Sequence, residues 1–117
     1  MYKSILTFLC LSAAQLSAGE FPDTSTKSFL EKHCYDCHDE DMKEGNLDLT
    51  SLKYNLTDFQ TYQKWVKVYD AIAMGDMPPK KKKRPDENLK KSFLSSLHSP
   101  LMKADEVMQY EQGRTKA

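Results

Sequence analysis

Phe29-Leu30-Glu31-Lys32-His33-Cys34-Tyr35-Asp36-Cys37-His38 is the stretch from which the rest of the chain is read. Its last five residues form C-x-x-C-H, the attachment sequence of a c-type haem. The chemistry explains the spacing. Each thiol can add across one vinyl group, and two intervening residues let both sulfurs reach the same edge of the macrocycle. The adjacent imidazole is then carried beneath the iron, so that His38 becomes the proximal ligand. Tyr35 and Asp36, between the cysteines, are loosely constrained. Other uses of the pair fit less well. Structural zinc needs four ligands, and His33, His38 and His98 do not complete such a pattern. A thiol-disulfide oxidoreductase needs a βαβ setting. A disulfide between Cys34 and Cys37 would close so short a loop that it would constrain little.

N-terminal to this stretch, Lys3 precedes the apolar run Ser4 to Ala14, and Leu16-Ser17-Ala18 supplies small residues before Gly19. This predicts a secretory signal peptide over residues 1–18 and an exported protein, periplasmic or in the cell envelope. The run is too short and too interrupted by Ser4, Thr7, Ser12, Gln15 and Ser17 for a bilayer span, which needs about 20 predominantly apolar residues. Thr7, Phe8 and Leu9 before Cys10 lack the small residues of a lipidation site. Cleavage after Ala18 would remove Cys10 and Lys3, leaving Cys34 and Cys37 as the cysteines of residues 19–117.

Composition narrows the class. The 117 residues suit one small domain, and 17 basic against 17 acidic side chains give no net charge. A neutral balance argues against a nucleic-acid binder that works by neutralising phosphates. A charged fraction of 29% argues against a multi-span membrane protein. So small a chain needs a staple, and a haem would supply the apolar mass that the sequence lacks.

The periodicity is helical throughout. Thr24, Ser25 and Thr26 are N-cap candidates for a short helix that runs into the cysteine pair. Residues 39–56 are acidic, carry Gly45 and Asn46, and space Leu47, Leu49 and Leu52 irregularly, which predicts a wrapping loop. Thr57-Asp58-Phe59-Gln60 has the form of a capping box. It opens a helix with Phe59, Tyr62, Val66, Tyr69 and Ala73 as one stripe and Trp65 and Ile72 beside it. That helix ends at Gly75, and Pro78-Pro79 forbid its continuation. A five-cation run follows, Lys80 to Arg84, and reads as a solvated loop or a docking surface. Pro85-Asp86-Glu87 restarts a helix with Leu89, Phe93, Leu94 and Leu97 on its apolar side. Pro100 is expected to separate it from a last amphiphilic stretch reaching about Tyr110. The predicted class is all-α, with three to four helices and boundaries at 1–18, 19–99 and 100–117, the last segment a C-terminal helix or a connector before a further domain.

A haem that carries electrons wants a second axial ligand, and thioether ligation stabilises ferrous iron. The candidates are Met42, Met74, Met77, Met102 and Met108, with His33 and His98 as nitrogen alternatives. Met42 is too close to His38 to cross the ring. Met74, inside the long helix, reads as core filler. Met77 follows a helix end and precedes two prolines that hold the backbone extended, so little chain entropy is lost when its sulfur binds. Met77 is the choice.

The chain resembles a class I cytochrome c, and more specifically the planctomycete-type cytochrome c domain. The resemblance rests on FLEKHCYDCHDEDMKEGNLDL and KWVKVYDAIAMGDMPP and covers about residues 26–98. It implies one haem c, covalent at Cys34 and Cys37, with His38 and Met77 as axial ligands. Trp65 would either bond a haem propionate, as a tryptophan does in many class I cytochromes, or pack the ring edge. Tyr62, Tyr69, Leu47, Leu49 and Phe93 would wall the pocket. The function expected is single-electron transfer between redox partner proteins, without catalysis by the chain itself. The alternatives are an electron-transfer module of a larger redox enzyme and a five-coordinate haem sensor.

Overall fold

The computed structural model describes residues 21–113. The proposed leader and Cys10 lie outside the described residues. Three α-helices, α1 (Thr24–His33), α2 (Phe59–Ala73) and α3 (Glu87–Glu111), are joined by loops with one 3-10 turn at Glu44–Asn46. No strand forms among the described residues, and the fold is all-α.

Each helix begins on an aspartate. The cap of α1 is Asp23, one residue before the expected threonine and serine candidates. Its Oδ1 accepts from the Thr26 N–H at 2.8 Å and from the hydroxyls of Ser25 at 2.6 Å and Thr26 at 2.9 Å. A carboxylate satisfies an orphan N–H and also faces the positive end of the helix dipole, which a hydroxyl does not. For the same reason Asp58, not Thr57, caps α2, accepting from the Thr61 N–H at 2.9 Å. The Thr57 hydroxyl turns back to Asn55 Oδ1 at 2.6 Å. Asp86 caps α3 through the Asn88 N–H at 2.8 Å.

The buried face of α2 is Trp65, Val68 and Ile72, rotated from the expected stripe. Tyr62, Val66 and Tyr69 are half-buried, and Phe59 is exposed. Trp65 is the largest side chain on the helix, and inserting it completely aims that face inward. Met74 then points out. It lies two residues beyond Ile72, about 200° further round a helix of 3.6 residues per turn, and it is 68% exposed, so it is not core filler.

Helix α3 does not break at Pro100 but continues to Glu111. The missing proline N–H and the ring's crowding of the preceding turn cost roughly 3 kcal/mol in a helix interior. Contacts beyond the proline offset that cost: Leu101 and Met108 are buried, and the Tyr62 hydroxyl donates to Asp105 Oδ1 at 3.1 Å. Leu89, expected on the apolar side, is half exposed, while Phe93 and Leu97 are buried.

Packing centres on α3, which lies against both α1 and α2, whereas α1 and α2 make no backbone-level contact with each other. Phe29 stacks on Phe93 with ring centroids 4.3 Å apart. Beside them the fully buried Thr26 shares a hydrogen bond of 2.9 Å with the Ser96 hydroxyl. Leu30, Leu49, Trp65, Ile72 and Leu97 complete the core.

Candidate cofactor site

Helix α1 ends where the motif begins. The N–H groups of Cys34 and Tyr35 both reach the Leu30 carbonyl, at 2.9 and 3.0 Å, and those of Cys37 and His38 return to the Cys34 carbonyl at 3.3 and 3.1 Å. One hydrogen-bonded turn therefore carries Cys34, Cys37 and His38. Both thiols are free, and both residues are half-buried. Burial, with the adjacent Cys37 adding to it, pushes the Cys34 thiol up to about 12. This is the reverse of the lowered thiol that redox catalysis uses.

The loop after His38 wraps back onto it. Asp39 Oδ1 accepts from the N–H groups of Asp41 and Met42, at 3.0 and 2.7 Å, and the Glu44 N–H returns to the Cys37 carbonyl at 2.8 Å. Lys43, Gly45 and Asn46 all adopt positive φ, the tight reversal that Gly45-Asn46 favours. The return brings the Leu47 carbonyl 3.2 Å from His38 Nδ1, and the Leu49 N–H donates to the His38 carbonyl at 2.7 Å. A carbonyl can only accept, so Nδ1 carries a proton, and in the neutral ring Nε2 is the nitrogen with the lone pair.

Met77 comes from a different element. At the end of α2, Gly75 takes φ +79°, its N–H reaches the Ile72 carbonyl at 3.2 Å, and the Asp76 N–H reaches the Ala71 carbonyl at 2.9 Å. These are the two bonds of a Schellman cap. The Met77 N–H also reaches the Ala71 carbonyl, at 3.1 Å, so its backbone is fixed to the helix end. Pro78 and Pro85 are buried on either side of the basic run, and Arg84 Nη1 donates to the Gly75 carbonyl at 3.1 Å. Met77 itself remains 38% exposed.

Trp65 is fully buried, and its indole N–H donates to the Lys53 carbonyl at 2.9 Å. Phe21 and Tyr54 meet it edge-on, at 5.7 and 5.5 Å. The Tyr54 hydroxyl oxygen is buried without a hydrogen-bond partner among the described residues, and burial pushes its pKa up to about 12. Of the expected pocket walls, Leu49 and Phe93 are in the core and Leu47 is half-buried. Tyr69 lines a cleft of about 430 Å³ between α2 and α3 and, together with Tyr62, a second of about 380 Å³; the walls of neither include the cysteines, His38 or Met77.

These residues fit a c-type haem. Two unpaired thiols stand beside an imidazole of fixed tautomer, a preorganised thioether lies on a separate loop, and the orphaned Tyr54 hydroxyl is a donor that an acidic ligand group would satisfy. Sequence reasoning missed the clamp on His38 and the tie from Arg84. Asp48-Leu49-Thr50-Ser51 carried a signal for the first, because aspartate followed by hydroxyl residues marks a self-bonded turn. Nothing in the run Lys80 to Arg84 singled out its last member.

No curated protein and no solved structure matches the chain. Residues 34–81, from Cys34 through Met77 and the two prolines, match the family described as Planctomycete cytochrome C. Over that stretch the chain is similar to planctomycete cytochrome c domains, as its motifs led one to expect, and the similarity suggests haem-binding electron transfer.

Proposed function

We propose that the chain is an exported carrier of single electrons that binds one haem covalently through Cys34 and Cys37, with His38 and Met77 as axial ligands. The observation that carries the reading is the His38 ring, whose Nδ1 is held by the Leu47 carbonyl on the residue next to two free thiols. The Nε2 lone pair is thereby left for a metal. The bound group supplies reversible Fe(III)/Fe(II) chemistry. Everything else falls to the chain. Cys34 and Cys37 anchor, His38 donates its imidazole, and Met77 offers a thioether from a backbone already ordered by the Schellman cap. With its N–H committed to Lys53, Trp65 serves by packing, and a propionate bond would first have to displace that carbonyl. The exposed cations Lys80 to Lys83, three residues beyond Met77, suit an acidic redox partner. No described helix is long and apolar enough to cross a membrane.

The test is to express residues 19–117 in a bacterial periplasm together with haem-maturation machinery and to treat the product with acidified organic solvent. Colour that stays with the polypeptide supports the reading, and haem that extracts freely sinks it. Ferrous protein that resists carbon monoxide supports Met77 ligation; ready binding without denaturation favours a five-coordinate sensor.

A further inference from the structure

Leu47 and Leu49 grip His38 from two directions, through the ring Nδ1 and through the backbone carbonyl. Neither side chain makes these contacts; both are backbone groups, so their placement depends on the conformation of the segment. Asp48 lies between them with its carboxylate turned to the following residues. Its Oδ1 accepts from the Thr50 N–H at 2.9 Å, the Thr50 hydroxyl at 2.6 Å and the Ser51 N–H at 3.3 Å, and its Oδ2 accepts from the Ser51 hydroxyl at 2.7 Å. Four bonds converge on one half-buried residue in a loop that has no regular secondary structure to hold it.

We propose that Asp48 is a positioning residue for His38: its carboxylate locks the 48–51 turn, which keeps the Leu47 carbonyl on Nδ1 and so fixes the tautomer and orientation of the imidazole. The inference rests on the reading of His38 as the proximal ligand. Partners of a metal-ligating histidine set both its orientation and its basicity, and a carbonyl on Nδ1–H makes Nε2 the better donor. A carbonyl on a mobile loop would share that proton with water; a locked one keeps it. The hydroxyls of Thr50 and Ser51 also hold the Asp48 carboxyl down at about 2, so it stays an acceptor at neutral pH.

Nitrogen-15 and proton NMR of His38 in the haem-loaded ferrous protein tests this, with the exchange rate of Nδ1–H as the readout. Asp48→Asn removes the charge but keeps an acceptor for the backbone N–H groups of Thr50 and Ser51, whereas Asp48→Ala removes both. Slow exchange in the native chain and in Asp48→Asn, with at least about tenfold faster exchange in Asp48→Ala, is the expected result. Equal exchange in Asp48→Ala and the native chain overturns the proposal, as does an Asp48→Asn variant that exchanges as fast as Asp48→Ala. The double variant Thr50→Val/Ser51→Ala keeps the charge and loses two of the four bonds. It should give an intermediate rate, and native protection in it also overturns the proposal. Should Asp48→Ala fail to fold, this double variant and Asp48→Asn carry the test. Solvent extraction of the native chain reports on the haem reading by itself, so its failure is distinguishable from failure of this proposal, which the exchange rates of the variants report.

Discussion

Two methionines three residues apart behave as different chemical objects. Met77 has its backbone N–H bonded to Ala71 and a proline on its C-terminal side, whereas Met74 caps α2 with its side chain in solvent. Met77→Ala should keep covalent haem while lowering the reduction potential and opening the iron to carbon monoxide, since thioether stabilisation of Fe(II) is lost. Met77→His should remain six-coordinate, also with a lowered potential. Met74→Leu should change stability by no more than about 0.5 kcal/mol, as a surface substitution does, and leave the spectrum unaltered. A potentiometric titration and an absorption spectrum of each variant check these outcomes. Loss of the sulfur-to-iron band in Met74→Leu but not in Met77→Ala would exchange their roles. The family match was legible because C-x-x-C-H combines distinctive residue types at a fixed spacing. The atoms that hold His38 were not, because a peptide carbonyl leaves no mark in a sequence; only Asp48, Thr50 and Ser51 hint at where it is held.

The elements owe their ends to a few short side chains, and those ends respond to acid. The carboxyl groups of Asp23, Asp48 and Asp58 all lie below the usual carboxylate value of 3.8, chiefly because Ser25, Thr50 and Thr61 respectively donate hydroxyl hydrogen bonds to them. A folded-state value below the unfolded one means that the stabilising contribution is present above the unfolded value and is lost as pH falls through the folded one. Helix content followed by circular dichroism should therefore decline from about pH 4 toward pH 2, and Asp58→Asn should flatten part of that decline. The loop from Gly75 to Arg84 answers to a different tie. Arg84→Ala removes the donor to the Gly75 carbonyl and should speed hydrogen exchange at Asp76 and Met77, while Lys82→Ala, a neighbouring loss of the same charge, should not. Helix existence was readable from periodicity and from Gly75. Cap positions were off by one residue, because an aspartate competes with adjacent hydroxyl residues for the same role. The break expected at Pro100 failed because contacts made by Leu101, Asp105 and Met108 outweigh a local preference that the sequence displays openly.

For the whole molecule, everything converges on α3. Phe93 stacks on Phe29 and shares its core with Leu30 and Trp65, so Phe93→Ala should cost about 3–5 kcal/mol. That is a large part of the roughly 5–15 kcal/mol available to a small domain. Urea denaturation of the haem-loaded variant measures it, and a loss below about 1 kcal/mol would show that the contact between α1 and α3 is not a main support. The helical class was legible in the sequence, but this arrangement was not, since periodicity reveals which faces are apolar and not which faces meet. The arrangement also sets an order in time. Among the described helices α1 makes backbone-level contact with α3 alone, and α3 is the last of them to be synthesised. Until it arrives, α1 and the turn that follows it lack their main helical support; in the folded chain Cys34 is half-buried, and burial pushes its thiol up to about 12. On the proposed haem reading, thioether formation would be easiest before that docking, so the C-terminal helix would set how late in folding a haem could still be attached.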